Sequence, residues 1–195
     1  MAPKTQKKTK KQVIQEAAAR LFRDKGYSAT SMRDLAEAVQ LKASSLYNHI
    51  SSKEEILKNI CFENAHHFLK RMKQVEEMDG SAADKVKALI QFHIQVATED
   101  ATSVTAFNDE WRHLNEPFLS EFRALRKDYE SRFRALLEAG MRDGEFRAIE
   151  PTVALHTIFS SVRWLYDWFQ PGKKIGAEEL QEHISSLLMN GLAKK

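Results

Sequence analysis

Apolar residues recur three and four positions apart along most of the chain, with glycine and proline standing between those runs, and this pattern predicts an all-α protein. No run alternates long enough for a strand. A first helix carries Val13, Ile14, Ala17, Ala18, Leu21 and Phe22 on one stripe and closes near Lys25, where Gly26 offers the left-handed residue that ends it. Thr30 or Ser31 can cap a short second helix with Met32, Leu35, Ala36 and Val39 on its inner side. A turn leads to a third helix with Leu46, Tyr47 and Ile50. Ser51 or Ser52 can cap a fourth that runs to about Met78, since Glu54 and Glu55 stand three residues beyond them.

The same period continues to the end. A helix from about 82 to 98 carries Val86, Leu89, Ile90, Phe92, His93 and Val96, and a shorter one follows through Trp111. Pro117 fits the first turn of a long helix ending near Gly144. Pro151 opens a helix predicted to run unbroken to Gln170, where Pro171 and Gly172 stop it. Its residues Val153, Leu155, Ile158, Phe159, Val162, Trp164, Leu165, Trp168 and Phe169 surround the helical wheel, so it must be covered on several sides. A last helix from about 177 carries Leu180, Ile184, Leu187, Leu188 and Met189 and stops at Gly191.

Charge separates the two ends. Through Lys58 twelve lysines and arginines face six acids, and the chain beyond that point is net acidic, so the total is only +3. A positive head on a mildly acidic body suits a polyanion at one end; a lysine-rich tail that only aids solubility is the plainer reading. The first eight residues are lysine-rich and apolar-poor, which predicts disorder there. Cys61 is the single cysteine and cannot form an internal disulfide, and no secretory signal or membrane-spanning apolar run is present. The expected compartment is the reducing cytoplasm, with no membrane partner.

The informative stretch is 30–50, two short amphipathic helices joined by a tight turn. Their inward residues make a small core with the first helix, and the outward side of the third is small, polar and uncharged apart from Lys42. Small residues let a helix sit deep in a major groove. Ser44, Ser45 and Asn48 can then reach base edges or phosphates, and Tyr47 and His49 the backbone oxygens at the groove wall. Lys53 adds charge where the amides opening the fourth helix already favour a phosphate. Leu46 reads as core; Tyr47 can pack its ring and still turn its hydroxyl outward.

Gly26-Tyr27 through Leu57 resembles the N-terminal domain of the TetR family of repressors. The match includes Gly26-Tyr27, Leu35-Ala36-Glu37-Ala38, Leu46-Tyr47 with His49, and Ser52-Lys53-Glu54-Glu55-Ile56-Leu57. The resemblance implies phosphate contacts from Ser31, Tyr47, His49 and Lys53, and base-edge contacts near Arg33, Ala43, Ser44 and Ser45. Two positions depart from the family pattern. Gln40 stands where many relatives have glycine, so a non-glycine must adopt a positive φ or the turn must differ, and Lys42-Ala43 replace a more usual polar cap and lysine.

The expected architecture is therefore an N-terminal three-helix helix-turn-helix DNA-binding domain, 1–55, followed by a C-terminal helical ligand-binding and dimerisation domain, 56–195. The family resemblance implies a homodimer formed through the last two long helices, here with Val162, Leu165, Trp168, Phe169, Ile184, Leu187 and Leu188 as interface candidates. The alternative is that these residues fill the monomer's own core. The Trp164-Leu165-Tyr166-Asp167-Trp168 segment, with Glu110-Trp111-Arg112-His113-Leu114, resembles a subgroup of the family that regulates breakdown of fatty acids, sterol fragments or phenylacetate, which implies an acyl-coenzyme A thioester as effector, with another hydrophobic small molecule as the alternative. Arg112, Arg123, Arg126, Lys127, Arg132 and Arg134 can supply cations for its phosphates, or are simply solvated charge. The candidate ligand contacts are Phe62, His66, Phe92, Phe107, Trp111, Arg112, Arg126 and Trp164, with Phe68 also available to an apolar chamber.

Other chemistry has no support in the sequence. His66, His67, His93, His113 and His156 show no ligand spacing backed by carboxylates, so no metal and no resident cofactor is expected. There is no nucleophile elbow, Walker loop or dinucleotide fingerprint, so no enzyme is expected. Two rival readings remain: a helical small-molecule carrier or enzyme that retains a TetR-like head, and an interfacial membrane protein using its basic tail. The strongest apolar helices lie far from that tail.

Overall fold

The computed structural model describes residues 8–170 and 175–193. Residues 1–7, within the stretch predicted disordered, and Pro171-Gly172, expected to stop a helix, lie outside the described residues. Thr9 caps α1 (Lys10–Lys25) through a reciprocal box with Gln12, and Ile14, Ala17, Ala18, Ala19 and Phe22 face inward. Gly26, at φ 84°, ends the helix and donates its N–H to the Phe22 carbonyl. Of the two candidate caps for α2 (Met32–Ala38), Ser31 is the one used, reciprocally with Asp34. Thr30 is instead buried, its hydroxyl 2.8 Å from the Gly26 carbonyl oxygen.

The turn after α2 settles the Gln40 question. Gln40 adopts φ 55°, the one non-glycine with positive φ among the described residues. The Leu41 N–H bonds the Ala36 carbonyl at 2.9 Å and the Gln40 N–H the Glu37 carbonyl at 3.0 Å, so the left-handed residue closes a Schellman motif. The third helix is shorter than its pattern predicts. Regular hydrogen bonding covers only α3 (Ala43–Leu46), and turns carry the chain through Tyr47 to Ile50. The amides of His49 and Ile50 both return to the Leu46 carbonyl, because the backbone must already bend toward Ser52, the extended cap of α4.

The axis of the molecule is α4 (Lys53–Glu76). Its first half supplies Ile56, Leu57, Ile60, Cys61 and Ala65 to a core shared with α1, α2 and α3. Its second half gives Phe68, Met72 and Val75 to a larger core. That core is completed by α5 (Ala82–Glu99), α7 (Phe118–Arg142), α8 (Pro151–Arg163), α9 (Leu165–Trp168) and α10 (Ala177–Leu192). The segment read as one short helix through Trp111 is three pieces: α6 (Ala101–Thr105), a π-helical turn Ala106–Glu110 and a 3₁₀ turn Trp111–His113. Asp100 starts it afresh by accepting the Ser103 amide.

The helix expected to run unbroken from Pro151 to Gln170 is broken at Trp164, between α8 and α9. The break keeps Leu165 buried while Trp164 and Trp168 turn outward, 64 % and 53 % exposed. Two proposed interface residues are thereby corrected: Val162 and Leu165 are buried in the chain's own core, where α8 and α9 meet α5. Trp168 and Leu187 are exposed, and Phe169, Ile184 and Leu188 are half-buried. No helix is long and apolar enough to cross a membrane, among the described residues.

Candidate nucleic-acid interface and ligand cavity

The helix-turn-helix segment sorts its side chains by burial. Leu35, Ala36, Leu46 and Ile50 are buried against α1 and the start of α4. Ser31, Arg33, Lys42, Ala43, Ser44, Tyr47, Asn48 and His49 are exposed, and Ser45 is half-buried. Tyr47 therefore points to solvent rather than into the core, at 55 % exposure. Ser31 is already occupied, since its hydroxyl both accepts the Asp34 amide and lies against the Asp34 carboxylate. These bonds from Ser31 and a pairing with Lys25 hold the Asp34 carboxyl at about 2, well below the usual carboxylate range.

Lys53 is placed differently from its expected role. Its Nζ lies 2.7 Å from the carbonyl oxygens of both Tyr27 and Thr30 and 4.2 Å above the Tyr27 ring centroid. Two of its three donors thus hold the start of α4 to the 26–30 loop. Tyr27 in turn stacks on His113, with ring centroids 5.1 Å apart and planes 21° apart. The Asn115 amide donates to Glu54 at 3.2 Å, and Arg23 donates to Thr102 at 3.0 Å. Head and body are therefore joined along one seam.

On the body side of that seam lies a cavity of about 230 Å³ between α4, α5, α6, α7 and α8. Its buried end is apolar and aromatic, with Ala65, Phe68, Phe107, Tyr129 and Phe159 around His93. Its outer end is marked by exposed lining residues, Arg112, His156, Ser160 and Arg163, with Arg126 and Glu130 half-buried beside them. Arg126 lies 3.8 Å from Glu130, and Arg163 is paired with Asp109 and bonded to the Tyr166 hydroxyl at 3.0 Å. Burial, then the neighbouring charges of Arg112 and Arg163, lower the Arg126 pKa against the opposing pull of Glu130. A mouth with more guanidinium than carboxylate attracts an anionic group.

Three of the eight predicted ligand residues, Phe107, Arg112 and Arg126, line this cavity. The others do not. Phe62 packs toward Phe118 and Phe122 beneath the head, His66 is exposed, and Phe92 lies edge-on to His67 and Phe68 inside the core. Trp164 faces solvent. Trp111 backs the rim instead, its ring 4.8 Å from the Arg112 guanidinium and 5.1 Å from that of Arg126. Among the other cations, Arg123, Lys127, Arg132 and Arg134 stand outside the lining, and Arg132 is paired with Glu76 and Asp128.

The sequence reading missed His93, Tyr129, Phe159 and Tyr166 as lining residues. A signal existed for the first two: each is a polar group on an otherwise apolar stripe, between Ile90 and Val96 on α5 and between Phe122 and Phe133 on α7. Burial pushes the Cys61 thiol up to about 12, so it stays protonated and unreactive. No group of His, Cys, Asp or Glu suited to holding a metal ion occurs among the described residues.

Comparison with known proteins covers the whole chain. Residues 14–60 match the model of bacterial regulatory proteins of the tetR family, and residues 79–192 match that of the tetracyclin repressor-like C-terminal domain. The HTH-type transcriptional repressor KstR2 of Mycolicibacterium smegmatis is 23 % identical over 198 residues, covering 100 % of this chain and 97 % of the relative. The ketosteroid transcriptional regulator KstR2 of Mycobacterium tuberculosis superposes with a TM-score of 0.90 at 21 % identity, over 97 % of this chain and 98 % of that one. AibR, solved in complex with isovaleryl coenzyme A and operator DNA, superposes with a TM-score of 0.80 at 25 % identity, over 95 % and 98 % of the two chains.

Proposed function

This chain belongs to the TetR family of bacterial regulatory proteins, and from that premise we propose that it is a homodimeric repressor whose grip on an operator is governed by an acyl-coenzyme A thioester. One observation carries the reading: α4 both packs the helix-turn-helix head and walls the cavity, so a ligand that shifts α4 must shift the head. Arg33, Lys42, Ala43, Ser44, Ser45, Tyr47, Asn48 and His49 make the DNA face. Two such faces on a rigid dimer enter successive major grooves about 34 Å apart.

The cavity supports the effector class. Its apolar end suits an acyl group and its arginine-bearing mouth suits the phosphates of coenzyme A, the kind of ligand AibR was solved with. Val153 on α8, Trp164 at the break, Trp168 on α9 and Leu187 on α10 expose large apolar side chains, and a second copy of the chain covers them. The repressor acts in the cytoplasm, without catalysis. The thioester shifts the heads only as far as its affinity differs between the two arrangements.

Octanoyl-coenzyme A added to the protein on its DNA tests this. A dimeric mass in native mass spectrometry and a change of about 5- to 150-fold in DNA affinity are expected. A monomer, or saturable thioester binding with unchanged DNA affinity, contradicts the reading and favours a carrier.

A further inference from the structure

The buried end of the cavity is not purely apolar. His93 Nε2 and the Tyr129 hydroxyl meet there at 2.8 Å, on facing helices α5 and α7, and both line the cavity. Aromatic rings pack around them, Phe68 with its centroid 4.8 Å from the His93 ring, Phe159 at 5.2 Å and Phe133 at 6.4 Å. Of the charged lining residues, Arg112 and Arg163 are exposed at the other end, and Arg126 and Glu130 are half-buried beside them. Burial alone lowers the His93 pKa to about 3 and raises that of Tyr129, so both are neutral near pH 7.

A neutral imidazole has one donor and one acceptor, and a phenol has one donor and two acceptor sites. Their mutual bond uses one donor and one acceptor. If the phenol donates to Nε2, its oxygen keeps acceptor sites. If Nε2–H donates to the phenol, the phenolic proton is left to give. The Tyr129 oxygen can thus offer either polarity to a third group, and no other side-chain hydrogen bond engages either residue among those described. The mutual bond satisfies both side chains and leaves one further site on the Tyr129 oxygen that an apolar occupant cannot use.

Resting on the acyl-coenzyme A reading for the mouth, we infer that the His93–Tyr129 pair is a specificity determinant that selects effectors bearing a neutral oxygen, a ketone or hydroxyl, on the apolar end remote from the thioester. A plain hydrocarbon chain fills the aromatic cage but leaves the pair incomplete. A carboxylate there must shed its water, and no cation pairs with His93 or Tyr129 to offset that cost.

Two matched probe pairs test this on the full-length protein and on Tyr129→Phe, which keeps the ring. Binding of 7-oxo-octanoyl- and octanoyl-coenzyme A is measured by titration calorimetry, and binding of acetophenone and ethylbenzene by ligand-observed NMR. The oxygenated member of each pair is expected to bind about tenfold more tightly to the native protein and equally to Tyr129→Phe, with the hydrocarbon member little changed. If the thioesters fail to bind while the ketone keeps its Tyr129-dependent advantage, the coenzyme A reading falls and the pair's role stands. If the thioesters bind without preference, or the preference survives in Tyr129→Phe, the role of the pair is overturned and the coenzyme A reading stands. Absence of preference in both probe pairs also overturns it.

Discussion

Lys53 Nζ lies 2.7 Å from the Tyr27 carbonyl oxygen and sits over the ring of the same residue. The lysine that opens α4 is thus a fastener between α4 and the loop before α2, with a second bond to Thr30. Lys53→Ala should lower stability to denaturant by about 1–3 kcal/mol, because the two carbonyls lose a charged donor. The salt dependence of DNA binding should change by less than the full unit expected of a lost phosphate contact. Unchanged stability with a slope smaller by one unit would make Lys53 a phosphate ligand instead.

His113 connects the cavity to the head. It follows Arg112, a lining residue, and its ring stacks on Tyr27 while its Nε2 lies 3.3 Å from Glu110. His113→Ala should leave thioester affinity of the free protein nearly unchanged and reduce the effect of thioester on DNA affinity by about 2- to 30-fold. Anisotropy titrations of DNA with and without octanoyl-coenzyme A measure this. Undiminished coupling would remove His113 from the connection.

The neutral His93 gives the fold a pH dependence of definite sign. Its folded value of about 3 lies below the ordinary 6.5, so its stabilising contribution is complete above pH 6.5 and is lost as pH falls toward 3, because the unfolded chain takes a proton that the folded one refuses. Between pH 6.5 and pH 5 the loss should reach about 2 kcal/mol. Urea unfolding of the native protein and of His93→Gln checks it, since only the native protein should show this component.

The head was legible because its signals are local. Caps, the Gly26 stop and the inward stripe of Leu35, Ala36, Leu46 and Ile50 depend on neighbours within a turn or two, and each lies as the pattern predicts. Even the conflict at Gln40 was visible, since the turn demands a left-handed residue whatever stands there. The cavity was much less legible. Periodicity marks Phe62 and Phe92 as inward but not which neighbour they meet, and they meet Phe122 and Phe68 rather than a ligand chamber. The break at Trp164 rotates an aromatic run that an unbroken helix would place otherwise, which exposes Trp164 and buries Leu165.

The proposed function requires the exposed side of α3, presented twice, to read duplex DNA. Selection of bound duplexes from a random library, followed by affinity measurement with Tyr47→Ala, checks this. The expected result is a pseudo-palindrome with half-sites about one helical turn apart, bound by the native dimer and at least tenfold more weakly by the variant. Recovery of no common sequence, or equal affinity of Tyr47→Ala for the selected site, would contradict it.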